Sequence, residues 1–313
     1  LKTTIKRMLQ LILLSAALLF SLGPYAQEPS LAVLYPDVRE PYRSIFSDIY
    51  SGIKSAAGGK VRPYVLIENE DSEQLQSWLS KYNPTVIIAL GGLGKTIAPS
   101  LSSEFNIVTG AALFSNSNIQ QGMIGISLSP APQKLFIKLK ELAPEVRRIS
   151  VVYHPDSNGW LVDNAKQAAK DLGLVLVAVP AYSTREAARV YQEILTEQVN
   201  GFDAIWLLQG DPTMDEMSLL PRLLSEAWNR GTIVFSSNPS HVKRGALFSL
   251  FPNNPQMGKS LALKAELVAK GESKNVEPLK DLLIAVNVRT AEHLNLKISR
   301  ATRRDFDLIF PSK

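Results

Sequence analysis

Residues 86–96 read Val-Ile-Ile-Ala-Leu-Gly-Gly-Leu-Gly-Lys-Thr: five apolar residues, two glycines, then a run that can open a helix. A continuous apolar stretch of that length, stopped by glycine, marks a strand buried on both faces. Such strands belong to parallel sheets, because the connection returning the chain to the same end of the sheet is a helix that covers a face. The neighbouring sequence repeats the pattern. Upstream, 31–35 is a short apolar strand stopped by Pro36-Asp37, and 44–56 places Ile45, Ile49 and Ile53 on one helix face. Residues 64–67 form a second strand, and 72–82 a helix with Ser72 as N-cap. Downstream come a short helix at 97–101 and a fourth strand at 106–109.

Residues 114–125, rich in Ser, Asn, Gln and Gly, read as a linker, after which the pattern restarts. Helices are expected at 133–142, 161–172, 185–198 and 217–228. They alternate with strands at 149–153, 174–179, 204–208 and 232–236. Two such series predict an α/β fold of two doubly wound parallel-sheet lobes. Ligands of open α/β sheets collect at the carboxyl ends of the strands. Those ends are Pro36-Asp37, Gly91-Gly92, Gly110, the stretch 154–158, Gly210-Asp211 and Ser237-Asn238. If the lobes face each other, all six line one cleft.

Lys2, Lys6 and Arg7 precede an apolar run at 8–22, followed by Gly23-Pro24-Tyr25-Ala26 and polar Gln27-Glu28. That layout predicts a secretory signal over 1–26. An uncleaved anchor is the other reading; a membrane span needs about 20 apolar residues, so length favours cleavage and a periplasmic protein. The 45% hydrophobic and 20% charged content is ordinary for a globular chain of 313 residues. Three of the +5 formal charges sit in the leader, and the remaining +2 gives no nucleic-acid footprint. The closing Arg300, Arg303, Arg304 and Lys313 read as a solvated basic end. Without cysteine there is no disulfide, thiolate catalysis or cysteine metal site, and no lipid anchor is expected. His154, His241 and His293 lack metal-ligand spacing and read as surface or loop residues. No cofactor is called for.

Residues 89–96 nearly match a phosphate-cradling loop, with Ala89 where the first glycine is usual. An ATPase would also need a magnesium-binding strand end. Leu208-Gln209-Gly210-Asp211 is a weak candidate, and an exported protein meets little nucleotide. Two milder readings stay open: an anion-receiving helix N-terminus helped by Lys95, or a tight strand-to-helix turn with a solvated lysine. There is no Gly-x-Ser-x-Gly elbow, His-Glu-x-x-His pair or cysteine nucleophile, so no enzyme is expected. Asp215-Glu216 sits at a helix start, where the dipole explains it, and adjacent residues do not share a helix face.

A resemblance adds to this reading. Leu142-Ala143-Pro144-Glu145-Val146-Arg147-Arg148-Ile149, Val152-Tyr153-His154-Pro155, 168–174 and Phe202-Asp203-Ala204-Ile205 occur in order. Val242-Lys243-Arg244-Gly245-Ala246-Leu247, Gly258-Lys259, Lys270-Gly271-Glu272 and 287–296 follow. Together, over 127–298, the chain resembles the substrate-binding proteins of ABC transporters, in the branch related to aromatic amino-acid binders. The resemblance implies a type I periplasmic-binding fold, two lobes joined by three crossings, near 122–127, 251–254 and 277–280. The lobes would be 27–122 with 254–278, and 123–253 with 279–313. Closure around a ligand by hinge motion, without chemistry, is implied. The family's ligand contacts map onto Pro36, Asp37, Gly91, Gly92, Leu93, Ser157, Asn158, Asp211 and Asn238. In amino-acid binders hydroxyls and amides hold the carboxylate and an acid holds the ammonium.

The chain departs from that pattern in its Gly-Gly-Leu-Gly-Lys loop, its missing lipid-bearing cysteine, and a 115–121 stretch without Asp-Pro. Lys95, if it faces the cleft, favours an anionic ligand. Trp160, Tyr153, Phe114 and Phe251 are candidates for an aromatic wall or for core packing. The expected function is a monomeric periplasmic solute-binding protein delivering a small ligand, an amino acid or other small anion, to an ABC permease. The alternatives are a ligand-sensing module for a membrane histidine kinase or chemoreceptor, and an exported α/β enzyme.

Overall fold

Strand β1 (Leu31–Pro36) alternates its side chains between two cores: Leu31 and Val33 enter one, Ala32 and Leu34 the other, all four fully buried. That two-sided burial is what a continuous apolar strand requires. It sits inside a six-stranded sheet with β2 (Val61–Leu66), β3 (Val86–Leu90), β4 (Asn106–Ala112), β5 (Gly125–Pro130) and β11 (Val276–Leu279). Their order is β11-β5-β4-β3-β1-β2, parallel throughout. The computed structural model describes residues 30–68 and 72–311. The expected leader at 1–26, the Ser72 side chain expected to cap its helix, and Lys313 lie outside what is described. No helix among the described residues is long and apolar enough to cross a membrane.

Helices α1 (Tyr42–Ala56) and α10 (Asn254–Ala269) cover one face of this sheet; α2 (Ser72–Tyr82) and α3 (Gly91–Leu101) cover the other. Gly52 and Gly258 let α1 and α10 touch backbone to backbone. A Cβ on Gly52 would collide with the Pro255 carbonyl, and one on Gly258 with the Ile49 carbonyl.

The second sheet runs β13-β12-β10-β9-β8-β6-β7. Its strands are β6 (Arg148–Tyr153), β7 (Val175–Pro180), β8 (Asp203–Leu207), β9 (Ile233–Ser236), β10 (Phe248–Pro252), β12 (Leu282–Asn287) and β13 (Leu308–Phe310). One face carries α5 (Pro132–Leu142) and α6 (Pro155–Asp171), the other α7 (Thr184–Glu197) and α8 (Leu219–Arg230). Short helices α4 (Asn116–Gln120), α9 (Pro239–Lys243), α11 (Val288–His293) and α12 (Arg300–Arg303) complete the chain. The sheet is not wholly parallel. β12 runs antiparallel to β10 because β10 leaves toward the crossings and β12 enters from them.

The first crossing lies at Ala131, later than 122–127, because β5 pairs with β4 and β11 in the first sheet. The other two lie at 252–254, between β10 and α10, and at 280–281, between β11 and β12. The three are tied together. Ala131 N–H donates to the Leu279 carbonyl at 2.8 Å, and Asn253 N–H to the Asp281 carbonyl at 3.0 Å. Ser260 Oγ holds the Asp281 carboxylate at 2.6 Å. Beside the third crossing, buried Lys264 reaches Glu277 at 2.6 Å. Burial alone would raise the Glu277 carboxyl pKa, but the hydrogen bonds and charges of Lys264 and Lys280 hold it below the usual value.

Candidate functional site

Each sheet has a switch point, where successive connections leave in opposite directions and open a crevice at the carboxyl ends. It falls between β1 and β3 in the first sheet and between β6 and β8 in the second.

In the first crevice Pro36 is buried and Asp37 exposed. The Asp37 N–H donates to the Leu66 carbonyl at 2.8 Å, while its carboxylate has no hydrogen-bond or ion-pair partner among the described residues. Helix α3 starts directly at Gly91, so 91–101 is one helix instead of a turn and a short piece. This leaves no extended loop to wrap a phosphate, and Thr96 Oγ1 bonds back to the Gly92 carbonyl at 3.0 Å. Gly91 is required twice over: its φ is +74°, and a Cβ there would lie 2.9 Å from the Phe46 ring. A Cβ on Gly92 would meet only open space. The N-cap, Leu90, offers no side-chain bond, so the first-turn amides of α3 are uncapped. Leu93 packs toward the core under α2 and α3. Lys95 Nζ donates to the Leu113 carbonyl at 2.8 Å instead of standing free in the cleft, and burial lowers its ammonium pKa.

The second crevice is filled by a carboxylate. Asp211, buried, accepts from His154 N–H at 2.9 Å and Asn158 Nδ2 at 2.8 Å through one oxygen. Its other oxygen accepts from Thr213 N–H at 2.9 Å and Thr213 Oγ1 at 2.6 Å. A carboxylate has about four acceptor sites, so Asp211 is saturated by its own lobe. Burial, with the Asp211 charge added to it, pushes the Tyr191 phenol pKa far up. Ser157 and Asn158 belong to the first turn of α6, which begins at Pro155 instead of 161, and its N-cap His154 gives no side-chain bond. Their N–H groups donate to the His154 carbonyl at 3.2 and 2.9 Å.

Asn238 caps α9, accepting from Ser240 N–H at 3.0 Å, while its own N–H donates to Ser236 Oγ at 2.9 Å. Ser236 Oγ lies 2.8 Å from His241 Nδ1, and His241 Nε2 lies 2.7 Å from Glu216 Oε1. His241 is therefore buried, not a surface residue, and burial lowers its pKa against the opposing pull of Glu216. Ser236 is 0% exposed, so no substrate reaches its hydroxyl and the row is a structural relay. Asp215 turns the other way and accepts from Ser218.

The two crevices meet across a seam that the sequence reading missed. Leu113, after β4, lies against Gly210: a Cβ on Gly210 would sit 2.5 Å from Leu113 Cδ1. Asn116 Nδ2 donates to the Pro155 carbonyl at 3.0 Å, and Asn116 Oδ1 accepts from Trp160 N–H at 2.8 Å. Trp160 Nε1 donates to the Phe114 carbonyl at 3.0 Å. Phe114 and Trp160 are both buried in the second-lobe core, so they pack instead of forming an open aromatic wall. The carboxyl ends of β4, β6 and β8 thus face one another. Pro36 and Gly91 come together in one lobe, and Asn158 and Asp211 in the other. Lys95 reaches the seam through Leu113, and Asn238 sits one strand further out. Thr213, two residues after Asp211, was the readable sign of an Asx turn. No group of three or more His, Asp or Glu placed to hold a metal ion occurs among the described residues.

The family model for ABC transporter substrate binding proteins matches residues 74–303. This chain belongs to that family. Its members are non-catalytic solute-binding proteins that work outside the cytoplasm, generally with a cognate ABC permease. Three solved structures are similar. A conserved domain protein from Vibrio cholerae is 22% identical, with TM-score 0.52, covering 90% of this chain and 100% of that one. A Streptococcus pneumoniae ABC domain in complex with L-Trp is 18% identical, with TM-score 0.52 and the same coverage. An open, ligand-free substrate binding protein with adhesive properties from Clostridium difficile is 16% identical, with TM-score 0.62, covering 91% and 100%. At these identities the likeness is one of fold: two parallel-sheet lobes of the type I periplasmic-binding kind. No curated relative matches the chain.

Proposed function

We propose that this substrate-binding protein captures a small zwitterion or anion between its lobes and hands it to an ABC permease. The observation that carries this reading is the pair of facing switch-point crevices, linked by three hydrogen-bonded crossings at one side. A hinge at such crossings lets the lobes close on a ligand that prefers the closed form. The uncapped first turn of α3 suits a carboxylate, which its dipole and free amides stabilise. Asp37, exposed and unpaired among the described residues, suits an ammonium; saturated Asp211 shapes the wall instead. An amino acid, aromatic ones included, has both groups. Gly92 leaves room for a ligand to approach the α3 backbone.

The test is thermal unfolding against amino acids, organic acids, nucleosides and phosphates. Binding to the folded state at a hundredfold excess over Kd adds about 2.7 kcal/mol. The expected result is a shift for amino acids that Asp37→Asn reduces. A shift confined to nucleosides, or none across the panel, contradicts the reading.

A further inference from the structure

Helices α8, α9 and α11 of the second lobe flank an open surface cavity of about 500 Å³, and no strand-end residue proposed for the cleft lines it. That volume falls within the range of small-molecule sites, about 300–1,000 Å³. Its charged lining is entirely positive: Lys243, Arg244 and Arg289, with no acidic residue. Three like charges around one cavity repel each other. Salt bridges elsewhere on the surface relieve such repulsion, as between Arg189 and Glu193. Here two of the three cations have no acid partner among the described residues.

The cations are also oriented. Trp228 stacks on the His293 ring at 3.7 Å with an interplanar angle of 7°, and His293 Nε2 reaches the Trp228 carbonyl at 2.8 Å. The Arg289 guanidinium lies over the indole so fixed, 5.4 Å from its centroid. A cation–π contact positions the guanidinium without consuming its N–H groups. Arg244 is set by Glu216, donating to Oε2 at 3.1 Å and to the backbone carbonyl at 2.6 Å. Lys243 has no side-chain hydrogen bond or ion pair among the described residues and supplies a mobile point charge. A rigid guanidinium fork beside a flexible ammonium suits an oxyanion, the fork taking two oxygens at once.

We propose that this cavity binds a small multivalent oxyanion, carrying phosphate or carboxylate groups, at a site separate from the interlobe cleft. Arg289 holds it bidentately, Lys243 adds charge, and Trp228 fixes Arg289.

Titration calorimetry with pyrophosphate and with citrate, using acetate as the monovalent control, tests this at constant ionic strength of about 0.15 M, where the Debye length is about 8 Å. The expected result is saturable binding of pyrophosphate or citrate, weakened at least tenfold in Arg289→Gln and in Lys243→Gln. Binding of a cleft ligand should stay unchanged in both. Both positions are exposed, and an unaltered unfolding midpoint without anion checks that each variant folds. Trp228→Phe gives a second readout: an anion-dependent change in tryptophan emission that disappears in this variant. Absence of saturable binding by either multivalent anion overturns the proposal, as does binding that both charge variants retain. Failure here leaves the cleft reading intact, because that reading turns on Asp37 and not on these cations.

Discussion

At the switch point of the second lobe Asp211 accepts four hydrogen bonds from His154, Asn158 and Thr213. At that of the first lobe Asp37 accepts none among the described residues, and α3 begins without a side-chain cap. One crevice is closed by its own carboxylate and the other is left with unspent polar groups. The second lobe supplies a fixed wall, and the first supplies the groups a ligand can still pair with. Their rigidity has different sources too. The first lobe is drawn together where Gly52 and Gly258 bring α1 and α10 into backbone contact.

Asp211→Ala is the largest break in this contrast. It leaves a buried amide, a hydroxyl and two backbone N–H groups without their acceptor, and losing a buried charged partner costs about 3 kcal/mol or more. Urea unfolding should show that loss; one below about 1 kcal/mol would mean that the network is not a brace. Gly258→Ala comes next. Its Cβ meets backbone that cannot swing aside, and overpacking of this kind costs about 1–3 kcal/mol. An unchanged midpoint would show that the first lobe does not depend on this contact. Asp37→Asn should leave stability unchanged yet weaken an amino-acid ligand about tenfold, equivalent to about 1.4 kcal/mol. Equal affinity by calorimetry would move the ammonium site elsewhere.

The smallest effect concerns pH. His241 has its folded pKa below the ordinary 6.5, chiefly through burial. Between those two values the unfolded chain binds more protons. The contribution is therefore complete above about pH 6.5 and is lost as pH falls through the window. Glu216, bonded to the ring, opposes that shift, and the Arg244 charge adds to it. In His241→Gln the unfolding midpoint should fall less steeply from pH 7 to pH 5.5 than in the wild type. Parallel slopes would remove His241 as the source.

Much of this fold was legible because strands such as 86–90 are apolar throughout, which only two-sided burial explains. β5 was less so. Its Ser127 and Ser129 break the apolar run, yet both are buried and bonded to each other at 3.2 Å. The first crossing was therefore placed too early. Around the site, Gly91 could be read because glycine reports directly on backbone conformation. The saturation of Asp211 could not, since its partners His154 and Asn158 lie 57 and 53 residues away. The engagement of Lys95 with Leu113, 18 residues on, was hidden for the same reason. Local chemistry names the residues at strand ends; long-range pairing decides which of them remain free.

The central claim is that the lobes close on a ligand. The chain contains no cysteine, so Thr96→Cys and Ser240→Cys, both exposed and one on each lobe, give a spin-label pair without background. Pulsed-dipolar distances should shorten on adding the ligand found by thermal unfolding, over the same concentration range. Asn116→Ala, which removes the bridge to Pro155 and Trp160, should lengthen or broaden the unliganded distances. A distance distribution that ligand saturation leaves unchanged would contradict the account.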